Sequence, residues 1–159
     1  MRSREVMKKD VQSKVVEIAR VTRVVAGGKR MRFRALVVVG DRKGRVGIGV
    51  KKGADVAEAV GKATNEAKKR MITVTVENDT IPRQIEYKFK AAKIILKPRG
   101  PGSGIIAGGP VRAVVDMAGI KNISSKMLGS SNKISNVRAA FEALKQISNA
   151  HTARTEAKN

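Results

Sequence analysis

Apolar and polar positions alternate over the first fifty residues in a pattern that predicts three antiparallel strands. The expected strands are rich in Val, Ile and Thr, which favours extended structure. Glycine-containing turns separate them, as in hairpins. The strands are expected at 14–25, 31–39 and 45–50, and the turns at 26–30 and 40–44. In the second strand Met31, Phe33 and Ala35 are expected on one face. Arg32 and Arg34 then lie on the other face.

A helix is predicted after these strands. Small apolar residues recur at helical spacing and form one narrow face: Val56, Ala59, Val60, Ala63 and Ala67. Because these side chains are small, the helix is expected to lie close to the sheet. Asp55 followed by Glu58 resembles a capping box with Asp in place of Ser or Thr. The spacing also predicts favourable ion pairs of Glu58 with Lys62 and of Glu66 with Arg70.

The second half of the chain repeats the mixture of strands and helices. Strands are predicted at 71–76, before a polar break, and then at 84–90, continuing at 92–96, and at 121–128. A helix begins at Pro110 and stops at Gly119. Its inner face is formed by Val111, Val114, Val115 and Ala118. A last helix over 133–148 places Ile134, Val137, Phe141 and Leu144 inside.

These elements predict an α+β fold of two small α/β domains. The first has a three- to four-stranded antiparallel sheet plus one helix, and the second has two layers. The expected divisions are a flexible arm at 1–12, the first domain at 13–76, a linker at 77–83, the second domain at 84–150 and a flexible tail at 151–159.

The charge of the chain indicates a polyanionic partner. Of 159 residues, 34 are Lys or Arg and 13 are Asp or Glu, which gives a net charge of +21. The excess is spread evenly, because it amounts to 11 in residues 1–80 and 10 in residues 81–159. Such a surplus repels itself in a compact protein unless a polyanion neutralises it, and nucleic acid is the commonest one. No apolar run is long enough to span a bilayer, and the charged N-terminus predicts no signal peptide.

Composition and motifs argue against an enzyme. The chain has no cysteine and one histidine, His151, so neither thiolate chemistry nor a Cys- or His-rich metal site is expected. Three glycine-rich segments resemble phosphate-binding loops: Gly27-Gly28, Gly44-x-x-Gly47-x-Gly49 and Gly100-x-Gly102-x-Gly104. None is followed by the Gly-Lys-Ser/Thr of a P-loop, so ordinary turns or contact with an RNA backbone are favoured. We expect no cofactor, metal or small-molecule substrate.

The basic clusters are the candidate RNA-binding residues. Four cations fall within six residues of the first hairpin, and others flank glycine-rich or serine-rich loops. The full set is Arg20, Arg23, Gly27, Gly28, Lys29, Arg30, Arg32, Arg34, Lys51, Lys52, Lys62, Lys68, Lys69, Lys97, Arg99, Lys121, Lys126, Ser130, Ser131, Asn132 and Lys133. For Lys68 and Lys69, relief of the helix dipole is an equal alternative. The few aromatic residues fall on apolar faces, which favours folded RNA over base stacking.

Several stretches resemble the small-subunit ribosomal protein five family of bacterial type. In the first half the resemblance rests on segments 28–33 (GKRMRF), 39–49 (VGDRKGRVGIG) and 55–59 (DVAEA). In the second half it rests on segments 104–114 (GIIAGGPVRAV), 129–132 (GSSN) and 136–139 (NVRA). It covers about residues 10–150. Lys51-Lys52 depart from the family, since bacterial members usually have smaller residues there.

The resemblance implies a fold, a place and partners. It implies an N-terminal domain similar to double-stranded-RNA-binding domains and a C-terminal β-α-β-α domain. It further implies a structural constituent of the small subunit that binds 16S-type ribosomal RNA where body meets head, and that supports assembly and translational accuracy. Small-subunit proteins four and eight are implied neighbours, and the messenger RNA entry region lies nearby. The implied interface with protein four contains Arg99, Gly100, Gly102, Ser103 and Gly104.

Two other functions remain open at this point. One is a regulator that binds double-stranded RNA outside the ribosome, and the other is an enzyme that modifies nucleic acid. The second would need a constellation of acids or histidines that the chain does not offer. The expected location is the cytoplasm, within the small subunit, or the matrix of an organelle if the protein has an organellar source.

Overall fold

The computed structural model describes residues 11–156, and the surroundings of side chains for residues 11–150. Most of the predicted N-terminal arm therefore lies outside the described residues. The first sheet has the order β1-β2-β3-β4 and the second has the order β5-β6-β8-β7. The elements are β1 (Gln12–Val25), β2 (Gly28–Gly40), β3 (Arg45–Gly53), α1 (Val56–Lys69), β4 (Ile72–Thr73), β5 (Ile85–Phe89), β6 (Ala92–Pro98), β7 (Ile105–Ile106), α2 (Gly109–Ala118), β8 (Ile123–Met127) and α3 (Lys133–Glu156). The predicted α+β class is confirmed.

The N-terminal sheet forms as predicted for its first three strands. β1, β2 and β3 make an antiparallel meander, and the first hairpin closes with Val25 opposite Gly28. Gly27 lies in the left-handed region, with φ of 92°, which is the conformation that favours glycine at this turn. A bulge between Val15 and Glu17 shifts the register of β1.

Helix α1 lies close against this sheet, as its small side chains predict. Ala59, Ala63 and Ala67 are completely buried. Gly49 of β3 lies directly beneath α1, and a Cβ atom at that position would overlap the Ala63 carbonyl oxygen. The small residues on both elements allow the helix backbone to approach the strand backbone.

The predicted capping box forms only in part. Asp55 occupies the N-cap position but its side chain makes no capping hydrogen bond. Instead the N–H of Ala54, which precedes the N-cap, donates to Glu58 Oε2 at 2.5 Å, so the acid of the first turn holds the segment that enters the helix. Lys62 Nζ donates to Glu58 Oε1 at 2.6 Å, which confirms the predicted pair and lowers the pKa of Glu58.

The predicted strand at 71–76 is mostly wrong, since β4 contains only Ile72 and Thr73. After β4 the backbone makes other hydrogen bonds. The Val74 N–H donates to the Gly44 carbonyl at 2.6 Å, and Glu77 and Thr80 bond each other across a tight turn. The apolar residues of this segment pack into the core without extending the sheet.

The prediction that residues 84–90 and 92–96 form one continuing strand is also wrong. The chain reverses at Lys90 and Ala91, so that β5 and β6 are antiparallel with Phe89 opposite Ala92. Lys90 takes a φ of 54°, which is uncommon for a non-glycine residue. The usual turn residues are absent at this point, which is why the sequence pattern missed the hairpin. The short parallel strand β7 beside β8 was not predicted either.

The inner faces predicted for the two C-terminal helices are confirmed. In α2 the four residues predicted inside are completely buried, and Gly119 ends the helix with φ of 85°. Helix α3 runs to Glu156, eight residues beyond its predicted end, so residues 151–156 of the predicted flexible tail are helical. Within the described residues no helix is long and apolar enough to cross a bilayer.

A single large core joins the two sheets. Leu36, Val38 and Val46 of the first sheet belong to the same buried cluster as α2, α3 and the second sheet. The turn before β3 is held to α2 because the Arg42 N–H donates to the Met117 carbonyl at 3.1 Å and the Gly44 N–H to the Ala118 carbonyl at 3.0 Å. Backbone hydrogen bonds and a continuous core thus fix the relative position of the sheets.

Candidate nucleic-acid interface

The far end of the β1–β2 hairpin forms a groove with an exposed basic lining. Register places Arg23 opposite Arg30, and Val21 opposite Arg32, so these side chains share one face. Lys52 of β3 lies beside them, opposite Arg34. The concavity has a volume of about 720 Å³ and is lined by Val21, Thr22, Arg23, Val25, Ala26, Arg30, Met31, Arg32, Lys52 and Ala54. We call it the hairpin groove.

The hairpin groove holds positive charge with no compensating acid in its lining. Arg23, Arg30, Arg32 and Lys52 are all exposed. Within residues 11–150 none of the four forms an ion pair. A concave surface of one charge with apolar walls concentrates its field, which attracts an anion such as the RNA backbone.

The groove exists because β1 and β2 are longer than β3. β3 ends at Gly53, opposite Phe33, so residues 28–32 of β2 pair with β1 alone. Nearer the body of the protein, residues 35–40 are buried on both faces, by α1 on one and by the shared core on the other. The exposed part of the hairpin is therefore a two-stranded ribbon that extends away from the protein.

The other cations predicted on the hairpin have different surroundings. Arg20 is opposite Phe33, on the face of α1, and its guanidinium contacts the Met31 sulfur. Arg34 is half-buried and lies 3.9 Å from Glu17. Lys29 is exposed near the tip and has no ion pair within the described part of the chain. The structure thus leaves Arg34 and Arg20 out of the groove.

The adjacent lysines Lys51 and Lys52 separate onto opposite faces because they lie on a strand. Lys52 lines the hairpin groove, whereas Lys51 Nζ lies 3.5 Å from Glu66 of α1. Phosphate binding at the N-terminus of α1, next to Lys51 and Lys52, is not favoured, since Asp55 and Glu58 place two carboxylates there.

The remaining basic residues of α1 form a partly neutralised surface. Lys62 is paired with Glu58, and Glu66 lies 3.6 Å from Arg70. Lys68 and Lys69 are exposed in the last turn, where they also oppose the helix dipole. This surface has more carboxylates than the hairpin groove, so its net positive charge is smaller.

The candidate RNA-binding cations of the second half also include some with a carboxylate partner and some without one. Lys121 lies 3.1 Å from Asp79, and Lys133 lies 3.4 Å from Glu17, so both are paired. Lys97, Arg99 and Lys126 are exposed and unpaired among the described residues.

The serine-rich loop before α3 caps that helix. Ser130 Oγ accepts from the Asn132 N–H at 3.1 Å, and Asn132 Oδ1 accepts from the Ile134 N–H at 3.0 Å. Asn136 Nδ2 donates to the Ser130 carbonyl at 2.8 Å. Ser131 is exposed, and its side chain makes no hydrogen bond within residues 11–150. Capping explains Ser130 and Asn132 without any RNA contact.

The loop at 97–104 is anchored by a residue that the sequence analysis did not select. Asn122 is 6% exposed, and its Oδ1 accepts from the Gly104 N–H at 3.1 Å. The Arg99 N–H donates to Thr80 Oγ1 at 3.3 Å, and Thr80 in turn donates to the Asn122 carbonyl at 2.5 Å. Gly102 lies in the left-handed region, and the space that a Cβ atom would occupy there is open, so the loop is exposed to solvent.

The carboxylates serve structural roles. Asp41 Oδ1 accepts from the backbone of Lys43 and Arg45, at 2.8 and 3.0 Å, and Oδ2 accepts from Arg45 Nε at 2.6 Å. Burial alone would raise the pKa of Asp41, but these hydrogen bonds and the Arg45 charge outweigh it and lower that pKa. In the part of the chain that the structure describes, no three acids or histidines cluster as a metal site would require. The side chain of His151 lies outside the described residues.

The aromatic residues are packed away from solvent. Phe141 is 7% exposed, and Phe33, Tyr87 and Phe89 are partly buried against the two cores. The arrangement confirms that these rings are not free platforms for stacking bases.

Both halves of the chain match known protein families. Residues 11–75 match the model of the N-terminal domain of ribosomal protein S5, and residues 87–157 match that of its C-terminal domain. The small ribosomal subunit protein uS5c of Rhodomonas salina is 49% identical over 136 residues, which cover 85% of this chain and 81% of that protein. The chain therefore belongs to the ribosomal protein S5 family, whose members are structural, non-enzymatic proteins of the small ribosomal subunit that bind ribosomal RNA and neighbouring ribosomal proteins.

Proposed function

We propose that the protein stabilises the junction between the body and the head of the small subunit, and that the hairpin groove is its main contact with 16S-type ribosomal RNA there. The observation that carries this proposal is the unpaired charge of Arg23, Arg30, Arg32 and Lys52 around one concave surface. Cations that neutralise phosphates supply affinity and orientation without reading base sequence.

The proposal assigns lesser roles to the other predicted residues. Lys29 at the tip, Lys68 and Lys69 at the end of α1, and Lys97 and Lys126 on the second sheet are exposed and unpaired among the described residues, so they are available to phosphate. Arg34, Lys51, Lys62, Lys121 and Lys133 have carboxylate partners and would have to exchange them for RNA.

We further propose that the loop at 97–104 contacts small-subunit protein four. Asn122 anchors the loop so that Gly100, Gly102 and Ser103 are exposed to solvent, which suits contact with a neighbouring protein. Contact with protein four near the messenger RNA entry region would let the protein support translational accuracy. Protein eight is proposed as the second protein neighbour. The two matched family domains are proposed to divide near the 77–83 linker.

Directed cleavage tests these placements, because the chain has no cysteine of its own. Ala26→Cys at the hairpin tip and Ser103→Cys in the loop would each carry a tethered radical-generating reagent in reconstituted small subunits. We expect cleavage of ribosomal RNA at the junction of body and head (the neck) from position 26, and cleavage of the protein four backbone from position 103. Cleavage from position 26 confined to RNA far from the neck would refute the placement. Asn149→Cys, on the exposed side of α3, is the matched control.

A further inference from the structure

The second sheet has one face that no described element covers. Helices α2 and α3 pack on the other face, where Ile85, Ile94, Leu96 and Ile123 are buried. Side chains alternate along each strand, so the neighbours of these residues project from the opposite side. We call that side the open sheet face.

Strand register arranges the open sheet face in three rows. The first row contains Lys88 opposite Lys93, with Leu128 next to them through a hydrogen bond from its N–H to the Lys93 carbonyl at 2.8 Å. The second row contains Glu86, Ile95 and Lys126. The third row contains Lys97, Ser124 and Ile106. Successive rows are about 7 Å apart, since they are two residues apart along the strands.

The open sheet face is strongly basic. It carries four lysines and one carboxylate, and every row contains at least one lysine. Glu86 pairs with Lys93, whereas Lys88, Lys97 and Lys126 have no ion pair within residues 11–150. Lys88 and Lys93 are directly opposite each other, although like charges at such positions destabilise a sheet. Glu86 offsets the charge of Lys93, so an external anion would chiefly neutralise Lys88.

The composition of the face fits RNA better than a protein partner. Stable protein interfaces have a contiguous apolar core and are depleted in lysine. On the open sheet face Ile106 and Leu128 are about half exposed but lie in the two outer rows. The middle row between them contains Glu86 and Lys126 beside a partly buried Ile95. Lysines act as point charges toward phosphates, and the Ser124 hydroxyl can bond a phosphate or a ribose hydroxyl.

We propose that the open sheet face is a second RNA-binding surface, separate from the hairpin groove, which takes the sugar-phosphate backbone of folded RNA. It adds Lys88 and Lys93 to the predicted Lys97 and Lys126 and joins them into one surface. The inference rests on the proposed function in that it takes the partner to be ribosomal RNA, but it concerns different residues.

The test compares two variants that each remove two positive charges. Lys88→Gln with Lys126→Gln changes the open sheet face, and Arg112→Gln with Lys145→Gln changes exposed cations on the helices of the same domain. Binding to naked small-subunit ribosomal RNA is measured against salt concentration. We expect the first variant to bind at least about tenfold more weakly and its salt slope to fall by about 1.5, as two lost phosphate contacts imply. The second variant should bind nearly as wild type, and equal losses in both would overturn the proposal.

Two further measurements separate this inference from the proposed function. Arg30→Gln with Arg32→Gln is assayed alongside. Weakened binding in that variant together with wild-type binding in Lys88→Gln with Lys126→Gln would overturn the second surface and leave the hairpin groove standing. Acetylation of lysines is then compared with and without naked RNA, where we expect protection of Lys88, Lys97 and Lys126. Protection that needs the assembled subunit and is absent with RNA alone would assign the face to a protein neighbour and overturn the proposal.

Discussion

Asp41 shows how one residue connects local structure to the arrangement of the whole molecule. Its carboxylate accepts two backbone N–H groups and the Arg45 guanidinium, and this holds the turn between β2 and β3. The same turn donates two backbone hydrogen bonds to the end of α2. A change at Asp41 is therefore expected to weaken both the turn and the contact between the sheets.

Asp41→Asn should destabilise the protein at neutral pH by about 1–3 kcal/mol, because buried donors lose a charged acceptor. The pKa of Asp41 is lowered in the folded state. Its stabilising effect is therefore full above the unfolded pKa of about 3.9 and is lost as the pH falls through the lower folded value. Denaturant unfolding from pH 7 downward should show a steeper loss below about pH 4 in wild type than in the variant.

Asp55→Asn is the control for this experiment, since the Asp55 side chain makes no capping hydrogen bond. It should leave stability almost unchanged. If Asp41→Asn were as stable as wild type at pH 7, the role assigned to the carboxylate would be wrong.

Arg30→Ala with Arg32→Ala should weaken RNA binding at least about tenfold, as the loss of two phosphate contacts implies. Both side chains are exposed and without ion pairs in the described residues, so the melting temperature should not change. Filter binding and thermal melting measure the two effects. A large fall in melting temperature would show that these arginines stabilise the hairpin itself.

At the scale of elements, the approach of α1 to β3 depends on small residues on both sides. Gly47 and Gly49 lie beneath Ala67 and Ala63, and the backbones come too close for any larger side chain. Gly61 is on the opposite side of α1, with open space around it. Gly49, which is in close contact with α1, and Gly61, which is in open space, therefore provide a matched pair of substitutions.

Gly49→Ala should destabilise the protein by about 1–3 kcal/mol, because the added methyl group overlaps the Ala63 carbonyl oxygen. Gly61→Ala should stabilise it by up to about 1 kcal/mol, since alanine is the better helix former and meets no neighbour. Denaturant unfolding of both variants gives the two values. The packing described for α1 would be contradicted if the two substitutions changed stability in the same direction.

The helices and strands that were predicted correctly are those whose own residues favour their structure. The β1–β2 hairpin has a glycine turn between β-branched runs, and α2 has a proline near its start and a glycine at its end. The wrong predictions concern segments whose structure depends on contacts with residues distant in sequence. Val74 leaves the sheet because its N–H bonds to Gly44, and the turn at Lys90 contains no residue that favours a turn. The parallel pairing of β7 joins segments that no local pattern connects.

At the scale of the whole molecule, basic surfaces lie on both halves of the chain, while one core fixes the halves together. The hairpin groove is on the first sheet and the open sheet face is on the second. A rigid protein with several cationic surfaces can hold separate RNA segments in a defined relation. The net charge of +21 is then neutralised in the bound state.

Binding of the free protein to small-subunit ribosomal RNA should therefore depend steeply on salt. If six or more phosphates are contacted, affinity should fall by about 10³ or more between about 50 and 200 mM salt. Filter binding over that range measures the slope. A nearly flat profile would mean that phosphate contacts are few and that the charge serves another purpose.

The sequence predicted which types of residue form the candidate site, but not which of the predicted cations lie in it. The sequence clusters contained Arg23, Arg30, Arg32 and Lys52, but they did not show that Lys52 lies beside the hairpin cations. They could not show that Lys51 and Lys133 have carboxylate partners, because Glu66 and Glu17 are remote in sequence. Asn122 was missed because a lone asparagine has no pattern that marks it as a loop anchor.

Local periodicity and net charge were enough to predict the strand meander, the closely packed α1, the ends of α2 and a polyanionic partner. Tertiary structure alone decided which cations remain unpaired, where the hairpin groove lies and how the sheets are joined. Ion pairs such as Glu17 with Lys133 and backbone hydrogen bonds such as Arg42 to Met117 form between distant segments. Their formation depends on the packing of the core, which a local pattern does not contain.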